Sequence, residues 1–221
     1  PMTYEEALET TLIHSAAGEL PENSGLMTIR PFRTPHHNIS MPAMIGGGTR
    51  VKPGEVSLSH NGVLFLDELP EFQQETLEVL RQPLEDGVVR ISRNLGQYVF
   101  PADFMLVAST NPCPCGFYPN LNRCNCRPQA IKNYIGRISQ AFLNRMDLCV
   151  ETEEVRYTTM KDMREEESSA VIRARVKQVH EIQRERFRGR RYRFNSQMNM
   201  EDLEKYCVLD AESAERMQEK Y

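Results

Sequence analysis

The sequence predicts an α/β fold with a mainly parallel sheet, followed by a helical region. Two short apolar segments, residues 62–68 and 104–108, have the composition of strands that are buried on both faces of such a sheet. Between them, residues 71–85 carry apolar side chains at near-helical spacing, and strands that alternate with helices are typical of a parallel sheet. From about residue 157 onward the pattern is helical, with a long amphipathic helix near 159–187.

The remaining elements are predicted from capping residues, turn residues and periodicity. In chain order they are a helix over residues 3–18, a long loop with short elements over 21–62, a hairpin over 88–100, a helix around 128–143 and a third strand over 148–151. Thr3 and Gly18 suit the two ends of the first helix. The length of the loop indicates that it is functional.

The composition is that of an ordinary globular protein, with 40% hydrophobic and 26% charged residues. No apolar run approaches the roughly 18 residues that a membrane span requires. The segment Met2–Leu20 is acidic and amphipathic, whereas a signal peptide is basic and then apolar. We therefore expect a cytoplasmic location and no membrane partner.

Charge is unevenly distributed, although the net charge is only −4. Residues Arg184–Arg193 read RERFRGRRYR, and the segment Glu151–Glu167 before them is acidic. Such a basic run is either a solvated face or a contact with a phosphate backbone, where Lys and Arg displace counterions. The net charge argues against a nucleic-acid footprint over the whole surface.

Polar residues follow both apolar strands. Asp67 and Glu68 end the first strand, and Asn111 follows the second. Ligands of open α/β sheets bind at the carboxyl ends of strands, and two adjacent carboxylates at the end of a buried strand are costly unless something cationic meets them. In P-loop NTPases an acidic residue at this place helps to hold nucleotide-bound Mg²⁺, so Asp67 would hold the ion, Glu68 would deprotonate water and Asn111 would hold the water or the γ-phosphate. Alternatively, the carboxylates begin a loop and cap a helix, and Asn111 forms a turn before Pro112.

Four of the six cysteines lie within fourteen residues in the pattern C-x-C-x₈-C-x-C, at Cys113, Cys115, Cys124 and Cys126. In a cytosolic chain such clustering indicates a metal before it indicates disulfides, and four thiolates suit zinc. Zinc sites use C-x₂₋₄-C more often, so four reduced cysteines in a loop are the alternative. Cys149 and Cys207 lie in apolar sequence and are expected in the core.

Several longer segments resemble magnesium-chelatase-like AAA+ ATPases of the ComM/YifB branch. They are RPFRTPHH, GGGTRVKPGEVSLSHNGVLFLDELPEF, RQPLEDG, NPCPCG and FLNRMDL. The resemblance extends from residue 3 to about residue 210. It implies an AAA+ P-loop NTPase core over residues 1–155, without its first strand and phosphate-binding loop, and part of an α-helical lid over residues 156–221.

The resemblance also implies roles for single residues. Asp67 is similar to the Walker B magnesium ligand and Glu68 to the catalytic base, and Asn111 matches sensor 1. Arg145 matches the arginine finger that reaches the nucleotide of a neighbouring subunit, where such a residue is worth on the order of 10³–10⁵ in rate. Without the resemblance, a salt bridge between Arg145 and Asp147 is the preferred interpretation.

Two further segments are implied to approach the central pore of a ring. They are residues 30–55, which match the insert of helix 2, and the hairpin over residues 88–100. In that arrangement Arg90, Arg93 and Gln97 contact a DNA strand, and an ordinary surface hairpin is the alternative. The neighbouring His36 and His37 are either ligands or phosphate contacts, or plain polar residues of a loop.

The sequence departs from the family pattern at its phosphate-binding loop. No G-x-x-x-x-G-K-[ST] occurs, and Gly46–Gly48 is followed by Thr-Arg, so it is no substitute. In the family this loop precedes the position of residue 1, and the lid continues beyond Tyr221 to sensor 2. We therefore expect a fragment that binds nucleotide poorly and hydrolyses none at a useful rate.

Three functions are compatible with these features. The first is an ATP- and Mg²⁺-dependent motor, a homo-hexamer that acts on DNA in branch migration during natural transformation. The second is a magnesium-chelatase ATPase subunit that serves metal insertion into a porphyrin, and the third is a non-enzymatic scaffold stabilised by Zn²⁺. The cysteine loop and RPFRTPHH favour the first, because they resemble the ComM/YifB proteins.

Overall fold

The computed structural model describes residues 2–93, 96–152, 167–190 and 192–220. The chain forms two compact units that divide between Glu151 and Thr152. The boundary predicted after residue 155 lies outside the described residues. The long helix predicted near 159–187 is wrong in its extent, because residues 167 and 168 are not helical and Ser168 caps a helix that begins at Ser169. Within them, no helix is both long and apolar enough to cross a bilayer.

The elements of the first unit are short apart from the first helix. The helices are α1 (Tyr4–Ala17), α2 (Met41–Ile45), α3 (Glu55–Leu58), α4 (Gln74–Glu78), α5 (Arg81–Asp86), α6 (Pro128–Ile135) and α7 (Gln140–Leu143), with a 3-10 turn at Leu69–Glu71. The strands are β1 (Phe32–Arg33), β2 (Gly46–Gly47), β3 (Lys52–Pro53), β4 (Val63–Leu66), β5 (Val88–Arg93), β6 (Gly96–Pro101) and β7 (Met105–Ala108).

Helix α1 confirms the prediction from its capping residues. The backbone N–H of Thr3 donates to Oε2 of Glu6 at 2.7 Å, and the N–H of Glu6 donates to Oγ1 of Thr3 at 3.2 Å. This reciprocal pair satisfies two N–H groups that the first turn leaves free. Gly18 ends the helix with φ 79°, a conformation that glycine adopts without a steric penalty, and its N–H bonds to the carbonyl of His14.

The central sheet is parallel, as the sequence predicts, with strand order β1-β4-β7. Leu64 and Leu66 on one face of β4 are fully buried, with 0% exposure. On the opposite face, Phe32 and Met105 are 63% and 64% exposed. The expectation that the strands are buried on both faces is therefore wrong for the described residues, where one face is packed.

The core lies on the packed face of this sheet. Its buried residues come from β4, from α2, α3 and α4 with the turns on either side of α4, from β5 and the end of the hairpin, and from the segment around α7, and they are Met44, Val56, Leu64, Leu66, Leu69, Phe72, Leu77, Leu80, Val89, Ile91, Ala102, Ile138 and Phe142. The hairpin is thus held to the sheet by alternate residues of β5, while β6 is mostly exposed.

Two helices predicted as continuous are each broken in two. In the segment 71–85, Pro83 has no N–H to bond the carbonyl of Val79, so α4 and α5 are separate. In the segment 128–143, Ser139 accepts the N–H of Phe142 at 3.2 Å and begins a new helix, α7, after the turn at Gly136.

The strand predicted over residues 148–151 is not formed. Leu148 and Val150 are both 84% exposed, and no strand among the described residues pairs with this segment. A strand requires a hydrogen-bonded neighbour, so apolar composition alone does not produce one. Cys149 and Cys207 are also exposed, so the expectation that they belong to the core is wrong.

The second unit contains α8 (Ser169–Arg186), a 3-10 turn at Asn195–Gln197, α9 (Met200–Tyr206) and α10 (Ala211–Lys220). Aromatic residues of the basic run form its interior. Phe187 is 4% exposed, and its ring contacts those of Tyr192 and Tyr206 at centroid distances of 5.2 and 6.3 Å.

Arginines of the basic run pair with acidic residues of the same unit. Arg184 lies 2.7 Å from Glu181, and Arg190 lies 3.0 Å from the buried carboxylate of Asp202. These pairs neutralise part of the positive charge locally. For this run, the structure therefore favours a solvated face whose arginines are paired with acidic residues over an open phosphate-binding patch.

Candidate nucleotide site and thiolate cluster

The parallel pairing of β4 and β7 brings the two polar segments of the sequence together. The ladder continues past both strands, because Ser109 N–H donates to the carbonyl of Leu66 at 3.0 Å and Leu69 N–H donates to the carbonyl of Ser109 at 2.9 Å. Asp67 and Glu68 therefore lie beside the segment that ends in Asn111. We call Asp67, Glu68, Ser109 and Asn111 the nucleotide edge.

Ser109 links the two acidic residues. Its hydroxyl donates a very short hydrogen bond to Oδ1 of Asp67 and accepts the backbone N–H of Glu68 at 3.2 Å. In the part of the chain that the structure describes, Oδ2 of Asp67 has no hydrogen-bond partner. The carboxylate is thus oriented through one oxygen while the other stays free, which fits a hard cation that prefers oxygen ligands.

Sequence reasoning missed Ser109 as a site residue. The available signal was a hydroxyl directly after the second apolar strand, in register with the end of the first. Only the parallel pairing shows that this hydroxyl reaches Asp67.

Glu68 has an unusual backbone conformation, with φ 55° and ψ 52° in the left-handed region. A residue other than glycine adopts it at a cost of about 1–3 kcal/mol, and such residues cluster at functional sites. The 3-10 turn of Leu69–Glu71 follows immediately, so the chain leaves the strand direction at Glu68. No residue pattern in the sequence predicts it.

Both carboxylates are exposed, with the Glu68 side chain at 53%. Exposure to water lowers the cost of placing two carboxylates side by side without a cationic partner. What supports a ligand site is their placement at the carboxyl ends of parallel strands and the conformation of Glu68.

A histidine lies next to Glu68. Nδ1 of His37 is 3.9 Å from Oε2 of Glu68, and the His37 ring packs against His36 at 4.1 Å and against the edge of Phe72 at 6.4 Å. The sequence left both histidines open between a ligand role and a plain polar role. The structure places His37 at the nucleotide edge.

The fourth member of the nucleotide edge, Asn111, is exposed. The hydroxyl of Thr110 donates to the backbone carbonyl of Asn111 at 3.1 Å, and the side-chain amide has no hydrogen-bond partner among the described residues. A donor and an acceptor are therefore available to a ligand at this edge.

Arg145 lies away from this group within the chain. Its Nη2 pairs with Oε2 of Glu85 on α5 at 2.7 Å, so the alternative of a bridge to Asp147 is wrong for the described residues. No contact joins Arg145 to Asp67, Glu68 or Asn111 within the described residues.

The structure brings the four clustered cysteines together. The sulfur of Cys113 lies 3.4 Å from that of Cys115 and 3.8 Å from that of Cys124, and the Cys115–Cys124 distance is 3.6 Å. All four sulfurs, including that of Cys126, lie within 4.8 Å of one another, and none forms a disulfide. A tetrahedron with metal–sulfur bonds of about 2.3 Å has sulfur–sulfur edges of about 3.8 Å, so the spacing fits zinc.

The four residues form what we call the thiolate cluster, and their thiols influence one another. Burial raises the pKa of Cys113, but hydrogen bonds from the backbone of Tyr118 and from neighbouring thiols outweigh it and lower that pKa to about 6. Hydrogen bonding to Cys115 is the main cause that raises the pKa of Cys126 to about 12. Once one thiol of the cluster is ionised, its negative charge disfavours ionisation of a second thiol. A divalent cation bound by the sulfurs would compensate this charge.

The hairpin separates the three residues predicted to contact DNA. Gln97 pairs with Ser92, two residues from Arg90, so Arg90 and Gln97 share the exposed face. Arg93 lies on the opposite face, next to Gly47. A Cβ atom added to Gly47 would lie 3.3 Å from Nη2 of Arg93. The structure therefore groups two of the three residues.

Comparison with known families identifies the chain. The model of magnesium chelatase subunit ChlI matches residues 1–160, and the model of the C-terminal part of the same subunit matches residues 166–221. The chain belongs to the magnesium chelatase ChlI family. The resemblance predicted from the sequence is confirmed, and the chain is an AAA+-type protein with a mixed α/β fold.

Relatives within the ChlI family include proteins of the ComM/YifB branch. Competence protein ComM of Haemophilus influenzae is 44% identical over 96% of this chain and 41% of its own length. The uncharacterized protein YifB of Salmonella typhimurium is 40% identical over 97% of this chain and 41% of its own length. The chain therefore spans about two fifths of the length of these relatives.

More distant similarities cover less of the chain. The magnesium-chelatase 67 kDa subunit of Chlorobaculum parvum is 31% identical over 47% of this chain and 17% of its own length. The crystal structure of NtrX from Brucella abortus in complex with ADP matches 54% of this chain and 24% of its own, with 19% identity and a TM-score of 0.37.

Proposed function

We propose that the nucleotide edge is part of the catalytic site of an ATP-hydrolysing motor that acts on DNA in the cytoplasm. The observation that carries the proposal is the hydrogen-bonded arrangement of Asp67, Glu68 and Ser109 at the carboxyl ends of two parallel strands. Membership of an AAA+-type family supports it. Because residues 1–221 contain no Walker A sequence, activity is tested on the complete gene product.

Each residue of the edge has a distinct role in this proposal. Asp67 would hold Mg²⁺ through its free carboxylate oxygen, and the ion would neutralise charge on the phosphate oxygens. The exposed carboxylate of Glu68 would take the proton from the attacking water. Asn111 would orient that water or the γ-phosphate without adding negative charge.

The finger role of Arg145 and a homo-hexameric assembly belong to the same proposal. Arg145 has no contact with the edge among the described residues and is partly exposed, so it is accessible to a neighbouring subunit. Its pairing with Glu85 is an exposed ion pair, which is typically worth about 0–1 kcal/mol. A phosphate in a neighbouring site could therefore replace Glu85 at small cost.

DNA stimulation tests the motor function. In the complete gene product we expect branched DNA to increase ATP hydrolysis, and Arg90→Ala to weaken DNA binding because a phosphate contact on the exposed hairpin face is lost. The slope of log affinity against log salt should then become shallower by about 0.7 for one lost contact with a single strand, or by about 0.9 for one with duplex DNA.

The matched control is Lys132→Ala, which removes one exposed positive charge from α6. It should leave both the salt dependence and the stimulation unchanged. An Arg90→Ala protein that binds DNA with the parental salt dependence would remove the hairpin from the proposal.

We also infer that the thiolate cluster holds structural zinc. The sulfur spacing fits a four-thiolate site, and such a closed site has no position for a reactive water, so it supplies no catalytic hydroxide. Elemental analysis of the purified protein should give about one zinc per chain. Cys124→Ser should lose it while Cys149→Ser retains it, and a protein that purifies without zinc after growth in zinc would contradict the inference.

A magnesium-chelatase subunit is the second candidate function. The 31% identity to the 67 kDa chelatase subunit favours it, but that similarity covers less than half of the chain. The longer match to a competence protein favours the DNA motor. If chelatase partners increase the rate of ATP hydrolysis and DNA does not, the chelatase subunit becomes the preferred function. A complete gene product that binds zinc and hydrolyses no ATP would instead indicate the third function, a scaffold stabilised by zinc.

A further inference from the structure

We propose that zinc in the thiolate cluster fixes the position of Asn111 at the nucleotide edge, so that zinc occupancy sets the rate of hydrolysis. The inference rests on the proposed function for the role of Asn111. In it, Asn111 touches the reacting groups, and the four cysteines are positioning residues that act through it.

The first link is the covalent connection between the two sites. Only Pro112 separates Asn111 from Cys113, and the proline ring fixes one of the backbone angles between them. Cys113 is fully buried, with 0% exposure. Because few rotations remain between these residues, fixing the Cys113 sulfur on a metal restricts where Asn111 can lie.

The second link is the turn from Cys113 to Gly116, which contains Cys115. The N–H of Gly116 donates to the carbonyl of Cys113 at 3.0 Å, with a positive φ of 80° at Gly116. This turn brings the chain back to Asn111, since a Cβ on Gly116 would lie 3.9 Å from Oδ1 of Asn111. A residue of the loop thus lies beside an amide that has no hydrogen-bond partner among the described residues.

The third link is the segment that follows the last cysteine. Two residues after Cys126, α6 begins at Pro128. Just beyond this helix, Nη1 of Arg137 donates to the carbonyl of Pro70 at 3.2 Å and to the Glu71 carboxylate at 3.1 Å. After the cluster, the chain therefore contacts the turn that directly follows Glu68.

The loop has little apolar packing to hold it in place without a metal. Its large side chains Phe117, Tyr118 and Leu121 are 41%, 42% and 79% exposed. Of the cysteines, Cys113 and Cys124 are buried. Where a site is not held by a core, the free energy of metal binding becomes the free energy that orders the segment.

The test compares zinc-loaded and chelator-treated forms of the complete gene product, with zinc content measured in each. We expect zinc removal to lower kcat by about 10–100-fold while the nucleotide Kd stays the same, as for other groups that orient a site indirectly. Asn111→Ala should itself lower kcat by about 10²–10³, and zinc removal should then have no further effect. An equal loss of kcat in both backgrounds would show that zinc acts elsewhere and would overturn the proposal.

A second measurement does not depend on hydrolysis. Amide hydrogen exchange over residues 109–116 should become faster when zinc is removed and should recover when zinc is restored, while the hairpin over 88–101 stays unchanged. Unchanged exchange over 109–116 would also overturn the proposal. If the zinc-loaded protein hydrolyses no ATP, the proposed function fails, and exchange still decides whether zinc orders the Asn111 segment.

Cysteine variants repeat the comparison without a chelator. Cys124→Ser should behave like the zinc-free protein in kcat and exchange, whereas Cys149→Ser, at an exposed cysteine outside the cluster, should behave like the parent. If Cys124→Ser does not fold, the chelated parent protein with restored zinc supplies the same test.

Discussion

Glu68→Gln in the complete gene product should bind ATP with the parental affinity and hydrolyse it about 10²–10⁴-fold more slowly, the usual contribution of a general base. Glutamine keeps the size of the side chain and the left-handed backbone of residue 68, but its amide cannot accept the proton of the attacking water. Nucleotide affinity is measured with a fluorescent ATP analogue, and hydrolysis by phosphate release at saturating ATP.

The matched control is Glu75→Gln, which removes an exposed carboxylate from α4, a few residues further along the chain. Glu75 takes no part in the nucleotide edge, so its loss should leave hydrolysis nearly unchanged. Equal rates for Glu68→Gln and the parent would exclude Glu68 as the base. Equal losses in the two variants would show that local charge, not proton transfer, is what matters.

Much of the central fold follows from sequence patterns that act over short distances. Apolar strands β4 and β7 were predicted because apolar runs of this length, bounded by polar residues, suit a parallel sheet. Helix α1 was predicted from Thr3 and Gly18, whose capping contacts are local. The hairpin followed from alternation on both sides of a turn.

Features that depend on competition between local signals were not predicted. The pattern over residues 71–85 is helical in its spacing, but Pro83 removes a helical hydrogen bond and divides it. Residues 148–151 have strand composition, but a strand forms only where a neighbour supplies hydrogen bonds. The sequence of the strands also does not show that one face of the sheet is exposed.

The candidate site shows the same division. Asp67, Glu68 and Asn111 were found because they stand at strand ends, where order along the chain is enough. Ser109 and His37 were not assigned roles, because their contacts with Asp67 and Glu68 depend on which segments lie side by side. Similarly, the partner of Arg145 was expected two residues away, whereas the structure shows Glu85, sixty residues earlier in the chain.

Arg145→Ala in the complete gene product should bind ATP almost normally and hydrolyse it about 10³–10⁵-fold more slowly, if Arg145 supplies charge to a neighbouring site. The structure provides a matched control in Glu85→Gln, which removes the carboxylate partner and leaves the guanidinium. If Arg145 only makes this ion pair, the two variants should have the same small effect. If it is a finger, Glu85→Gln should keep full hydrolysis while Arg145→Ala loses it.

Mixing experiments then show whether Arg145 acts between subunits. A ring of Arg145→Ala and Glu68→Gln subunits contains some interfaces where an intact Glu68 faces an intact Arg145 of the neighbour. Because neither variant is active alone, hydrolysis by the mixture above the sum of the two would place both residues in one shared site. In the proposed function, such a shared site at the interface is the arrangement through which Arg145 would reach the phosphates. Normal hydrolysis by Arg145→Ala alone would instead confine Arg145 to its ion pair with Glu85.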